Sequence, residues 1–240
     1  LYFFLYPRFL HATRKHLSRL ALLRPEFNGR MICCVAIGEG TVQNEVQQEL
    51  ERVFDELIYV QNDPAQREAV GFVKGMEQLA SVNRNEMICV AHGKGQQGHT
   101  HESGTIKKWN DAMYATCVAN WRGAAKAFHQ GYPLAGSFKS VGNFATTPHK
   151  WHYSGAFFWV RSAYFFNNDN WRQMCQQWFA AESYVGRHFA SHEGYALFGD
   201  NVEGGELYHD HKWDKWTPLL QQWKKENEKR ISNVIHWRDF

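Results

Sequence analysis

Three nearly continuous apolar runs, spaced by two amphipathic stretches, constrain this chain more than any other feature of it. "RMICCVAIG" (30–38), "ELIYVQN" (56–62) and "EMICVAH" (86–92) are rich in Ile and Val and read as buried strands. Between the first two lies "TVQNEVQQELERVF" (41–54), where Val42, Val46, Leu50 and Val53 or Phe54 recur at helical spacing. Between the second and third lies "PAQREAVGFVKGMEQLASV" (64–82), with Pro64 at the expected helix start. The pattern is βαβαβ, and strands that are apolar throughout imply a mainly parallel, Rossmann-like sheet covered on both faces. Ligands in such sheets gather beyond the carboxyl ends of the strands. The residues after Ile37, Val60 and Ala91 are therefore expected on the functional edge.

The rest of the chain is less regular. Residues 103–130 read as helix, with Ser103 as a candidate cap and Gly123 as a break or close contact. Residues 131–150 read as loop. Residues 151–166 read as a glycine turn, a short strand and a helix from Ser162. Residues 168–189 read as mostly helix, 192–213 as a glycine-rich polar stretch, and 218–231 as a final helix. The expectation is an α/β fold of one domain, 30–240, with a sheet-based front half and an irregular, aromatic-rich C-terminal half. The opening "LYFFLYPRFL" is too short to span a bilayer and has no basic region ahead of it. Residues 1–29 are read as an apolar N-terminal extension, free to contact a membrane surface or a second copy of the chain.

Composition narrows the function classes. The net charge is +3 and the 27 basic residues are dispersed. The densest run, "KKENEKR" (224–230), has acids interleaved and reads as a solvated helix face. No basic patch with interleaved aromatics marks a nucleic-acid surface. Cys33, Cys34, Cys89, Cys117 and Cys175 form no CxxC pair and read as buried thiols of a cytoplasmic protein. GxGxxG is absent after the first strand, as are a Walker A loop and a GxSxG elbow.

"MICVAHGKGQQGHTHE" (87–102) lies on the expected functional edge and admits three readings. Gly93 and Gly95 allow a tight turn and close approach to a ligand, while Lys94 and His92 could hold a diphosphate. Alternatively His92, His99, His101 and Glu102, with "HDH" (209–211), could bind a metal, although no specific metal spacing is present. The third reading is a polar loop.

With this loop placed after the third strand, the chain resembles nucleotide-sugar glycosyltransferases of the GT-A type. It is most similar to a group with a His-x-Lys-Gly loop, here "VAHGKG" (90–95), and a later "SGxFFWxxSxY"-like segment, here "YSGAFFWVRSAY" (153–164). The likeness covers about residues 30–200. It implies transfer of a sugar from a nucleotide-diphosphate donor, a UDP-sugar as first choice, to a saccharide acceptor in polysaccharide biosynthesis. It places Gly38, Thr41 and Asp63 at the nucleotide, and His92, Gly93, Lys94, Gly95, His209 and His211 at the diphosphate. Tyr153, Ser154, Gly155 and Trp159 fall at the acceptor or sugar. Glu182 is the candidate base, with Asp169 and Glu193 as rivals. The family's Asp-x-Asp is replaced by His92-Gly93-Lys94, which puts a divalent metal such as manganese in doubt. Two alternatives remain: a catalytically inactive GT-A-like domain for glycan binding or assembly, and a metal-dependent hydrolase built on the histidines.

Overall fold

The computed structural model describes residues 1–80, 85–95, 104–142, 149–167, 169–173, 179–203 and 205–231. The expected βαβαβ unit is present as β2 (Ile32–Ile37), α2 (Gln47–Val53), β3 (Glu56–Gln61), α3 (Ala69–Leu79) and β4 (Met87–His92). It is preceded by β1 (Tyr2–Leu5) and α1 (Leu10–Leu23). After it come α4 (Gly104–Met113), α5 (Trp121–His129), β5 (Leu134–Ser137), β6 (Lys139–Val141), β7 (Trp151–Tyr153) and β8 (Phe158–Arg161). The chain continues through α6 (Ser162–Phe165), α7 (Ala180–His188), β9 (Gly194–Phe198) and α8 (Trp213–Ile231).

Seven strands form one sheet in the order β3-β2-β1-β4-β8-β5-β9, and β6 pairs with β7 in a small ribbon. The pairs β3–β2, β2–β1 and β1–β4 are parallel, as is β5–β9. Only β8 runs against its neighbours, antiparallel to both β4 and β5. The fold is thus α/β with a mostly parallel sheet.

Alternating side chains fill two cores, as the two-residue period of a strand requires. Phe3, Leu5, Cys33, Val35, Cys89 and Ala91 face one side, against Leu17 and Leu20 of α1, Leu50 of α2 and Trp109 of α4. Tyr2, Phe4, Ile32, Cys34, Ile88 and Val90 face the other, against Phe72 and Met76 of α3 and Tyr184 of α7. Cys33, Cys34, Cys89 and Cys117 are free and buried; Cys175 lies outside the described residues. Among the described residues no helix is long and apolar enough to cross a membrane.

Several expectations need correction. Residues 1–29 are not an appendage: β1 lies between β2 and β4, with Tyr2 opposite both Ile32 and Val90. The reason is that Tyr2, Phe3, Phe4 and Leu5 are apolar toward both faces, as a central strand must be. Helix α3 starts at Ala69 rather than Pro64, because residues 64–68 form a turn in which Arg67 has φ +50°. The helical run from 104 divides at Asn120 rather than Gly123. It passes through a π segment, Tyr114–Val118, and restarts with the Asn120 side chain capping the Gly123 N–H. A Cβ on Gly123 would lie 2.5 Å from Asn120 Nδ2, so the glycine marks a close contact. Finally, the loop-like stretches 131–150 and 192–213 contain β5 and β9.

Candidate functional site

The carboxyl ends of β1, β2, β3 and β4 share one edge of the sheet. Because β8 is antiparallel, with Val90 opposite Phe158, the turn that enters it lies beside the exit of β4. The two motifs therefore meet. His92 Nε2 lies 2.8 Å from the Gly155 carbonyl oxygen. A carbonyl only accepts, so Nε2 carries the proton and donates. Burial lowers the His92 pKa to about 3, and Lys94 pushes the same way, so the ring is neutral. The Gly155 N–H in turn donates to Glu182 Oε1 at 2.7 Å, from the first turn of α7. Gly155 thus ties the end of β4 to the start of α7.

The turn is built for this. Gly155 has φ +93°, Ala156 has φ +53°, and the Ala156 N–H bonds the Tyr153 carbonyl at 3.0 Å. Two successive left-handed residues are costly unless one is glycine, and only glycine adopts that region freely. A Cβ on Gly155 would also lie 2.5 Å from Met113 Sδ.

After β4, the Gly93 N–H bonds the Phe4 carbonyl and Gly95 turns with φ +91°. Lys94 between them is buried, and its two ends meet different neighbours. Its ammonium lies 3.7 Å from the ring centre of Trp109 and 5.3 Å from that of Tyr208. Cation–π contacts of this kind hold a cation in place of a carboxylate. Its carbonyl accepts from His16 Nε2 at 3.0 Å and Asn110 Nδ2 at 3.2 Å. The other His16 nitrogen, Nδ1, accepts from the Tyr114 hydroxyl at 3.0 Å, and burial holds His16 neutral with a pKa of about 4. Glu68, half-buried at the start of α3, completes the surroundings. Burial raises its carboxyl to about 7; Glu182 pushes it further up, while Lys94 and Arg67 pull against this.

His92, Gly93, Lys94, Gly95, Gly155 and Glu182 come together at this edge. Ser154 is adjacent, but its hydroxyl is engaged with His152 Nε2 at 3.1 Å. Gly38 and Thr41 close the turn after β2, with the Thr41 hydroxyl on the Gly38 carbonyl at 2.8 Å. Asp63, at the same edge, engages both oxygens locally, on the Ala65 N–H and Gln66 Nε2. His209 and His211 are exposed, with ring centres 5.8 Å apart. Their segment approaches α4 through Tyr208, which packs edge-on to Trp109 at 5.0 Å, and through a Lys108–Asp210 ion pair of 2.7 Å. His99, His101 and Glu102 lie outside the described residues. Among the described residues no group of three or more His, Cys, Asp or Glu is placed to hold a metal ion.

Four expected site residues are corrected. Tyr153 is fully buried, with its hydroxyl on the Tyr195 carbonyl at 2.9 Å. Trp159 is 3% exposed, stacks on Phe27 and donates Nε1 to the Cys117 carbonyl. Neither ring stands at the edge that holds His92 and Gly155; Trp159 instead lines a cavity at the opposite edge, with Phe27 and Trp121. Asp169 is exposed and pairs with Arg172, which also bonds Glu77 near the far end of α3. Glu193 precedes β9, whose direction puts its first residue at the opposite edge of the sheet. There Glu193 accepts from the Ala190 N–H at 2.6 Å.

Sequence reasoning misses Glu68, Trp109, Tyr208 and His16. Glu68 and His16 look like ordinary helix residues, and nothing in their spacing sets them apart. "KKWND" (107–111) offers a faint signal, an aromatic residue flanked by charges.

Comparison with protein-family models and with curated proteins finds no match to the chain.

Proposed function

We propose that the chain is a glycosyltransferase of GT-A type, moving a sugar from a nucleotide-diphosphate donor to a saccharide acceptor. The observation that carries this reading is the convergence of its two motifs at one sheet edge, through His92, Gly155 and Glu182. In the inverting form of the reaction, the acceptor oxygen bonds to the anomeric carbon as the bond from that carbon to the diphosphate breaks. The acceptor proton passes to a carboxylate. Glu182 suits that role, because the Gly155 N–H fixes its Oε1 and orients the group before substrate arrives. The charge developing on the leaving diphosphate requires a cation. Lys94 supplies one next to this turn, where GT-A enzymes carry Asp-x-Asp. His92, neutral and donating to Gly155, acts as a positioning residue for the turn.

A second reading has specific support. The Lys94 ammonium already lies on Trp109 and Tyr208, and His92 Nε2 is already bonded. A domain that binds glycans without turnover needs no free cation there.

Calorimetric titration with UDP, GDP, CDP and UMP, with and without manganese, separates the two. The transferase reading expects a diphosphate to bind more tightly than UMP, and Lys94→Ala to weaken it at least tenfold. Absence of binding to every nucleotide would favour the glycan-binding domain.

A further inference from the structure

A cavity of about 380 Å³ opens between α1 and α4, beside the Lys94 loop. That size falls within the range of about 300–1,000 Å³ common for small-ligand pockets. Its wall on α1 carries His11, Lys15 and Arg19, each four residues from the next and so on one helix face. Lys107 and Asn110 of α4 form the opposite wall, and Ala12, His16, Lys94 and Gly95 complete the lining.

Among the described residues the charge here is one-sided. Arg19 is buried, with its guanidinium 5.1 Å from the centre of the Tyr114 ring, and it pairs with Asp111. Asp111 is the carboxylate that α4 brings to this cluster. Among the described residues, neither Lys15 nor Lys107 has an ion-pair partner. Lys224 of α8 adds a further positive charge that Arg19 feels. Lys15 registers the crowding: burial, then Arg19 and Lys107, lower its ammonium to about 8. Like charges gathered around a concave space cost free energy that an anion would return. Asn110 adds a second irregularity. It is 7% exposed, its Nδ2 is engaged on Lys94, and its buried Oδ1 has no partner.

We propose that this cavity binds a small phosphate-bearing molecule, gripped by Lys15 and Lys107. A phosphate offers two charges and three oxygens to cations arriving from two helices. A carboxylate offers one charge and two oxygens. The cavity borders the site of the glycosyltransferase reading, since Lys94 and Gly95 line it, but the Lys94 ammonium is held on Trp109 and Tyr208, neither of which lines the cavity.

The test is calorimetric titration of the full chain at low ionic strength with inorganic phosphate, glycerol phosphate and acetate. It is repeated on Lys15→Gln/Lys107→Gln and on Lys94→Ala. Lys107 is exposed and Lys15 half-exposed, so the double variant keeps the fold. The expected result is binding of both phosphates in preference to acetate, weakened at least tenfold in the double variant and weakened less in Lys94→Ala than in the double variant. Acetate binding as well as phosphate, or phosphate binding unchanged in the double variant, would overturn the proposal. Phosphate binding lost only in Lys94→Ala would also overturn it, and would move the anion to the nucleotide-sugar site.

Discussion

The two halves of the central sheet solve the same packing problem with different side chains. In β2 and β4 the buried positions are Ile, Val, Cys and Ala, filled in continuous runs, while the edge strand β3 buries Val60. In β8, β5 and β9 the strands have four or five residues, and large aromatics do the filling: Phe158, Trp159, Phe198, with Tyr153, Phe138 and Trp151 behind them. Aliphatic strands depend on length and repetition. The aromatic half depends on a few large side chains, and its Trp and Tyr each carry a polar atom that needs a partner. Trp159 finds the Cys117 carbonyl, Trp151 the Phe189 carbonyl and Tyr153 the Tyr195 carbonyl. Stability in the second half is therefore concentrated in single residues.

The largest test of that contrast is Trp159→Ala against Cys33→Ala. Trp159→Ala removes a buried ring together with its bond to the Cys117 carbonyl, which keeps the Asn120 N–H, and is expected to cost about 3–5 kcal/mol. Cys33→Ala, at a fully buried position between Phe3 of β1 and Leu57 of β3, is expected to cost about 1 kcal/mol. Urea unfolding of both variants gives the two values, and equal costs would break the contrast.

Acid tests both halves together. His16 and His92 belong to the front half and His152 to the back, and burial holds their pKa values to about 4, 3 and 3. A histidine in the unfolded chain takes up a proton near pH ~6.5. Below that pH the unfolded state binds more protons, so the stability each group contributes is present above ~6.5 and is lost as pH falls toward the folded values. The limiting slope is about 1.4 kcal/mol per pH unit per histidine. Urea midpoints between about pH 7 and 5 should fall, and His92→Gln and His152→Gln should each remove one share of the slope. A slope unchanged in both variants would show that these rings are not held neutral.

The smallest effect concerns the seam between the halves. Gly155→Ala forces a side chain into a left-handed position, and is expected to cost about 1–2 kcal/mol. Because Gly155 bonds both His92 and Glu182, the change should also weaken any nucleotide-sugar turnover more than it lowers stability. An activity assay run beside thermal unfolding checks this, and a loss of stability without loss of turnover would detach Gly155 from the site.

Legibility in the sequence follows the same division. The strands at 32–37 and 87–92 are readable because a strand buried on both faces leaves no polar gap, and the edge strand at 56–61 is readable from Leu57, Ile58 and Val60. Strand β1 obeys that rule too. Its aromatics and the nearby Pro7 give it the look of a surface segment, and nothing local says that it pairs with residues 32 and 90. β5 reads "LAGS": its Gly136 is needed because a Cβ there would lie 2.8 Å from the Tyr153 ring, and that need is visible only in three dimensions. At the site, His92, Lys94 and Glu182 are legible as polar residues at strand and helix ends. Tyr153 and Trp159 mislead because an aromatic residue beside a glycine turn looks the same whether it faces a cleft or a core. The cations of the α1–α4 cavity are invisible in the sequence, since Lys15 and Lys107 are 92 positions apart and converge only through packing.

The position of β1 also has a consequence for how the chain folds. Its register joins Tyr2 to Ile32 on one side and to Val90 on the other. The first pairing closes a short loop, whereas the second must wait for the whole βαβαβ unit. Until β4 is in place, one edge of an apolar strand stays open, a template for pairing with another chain. Long-range pairings of this kind slow folding. The rate-limiting step is expected to be the insertion of β1 between two strands that are distant from each other in sequence, and a chaperone acting on this protein would have that open edge to protect.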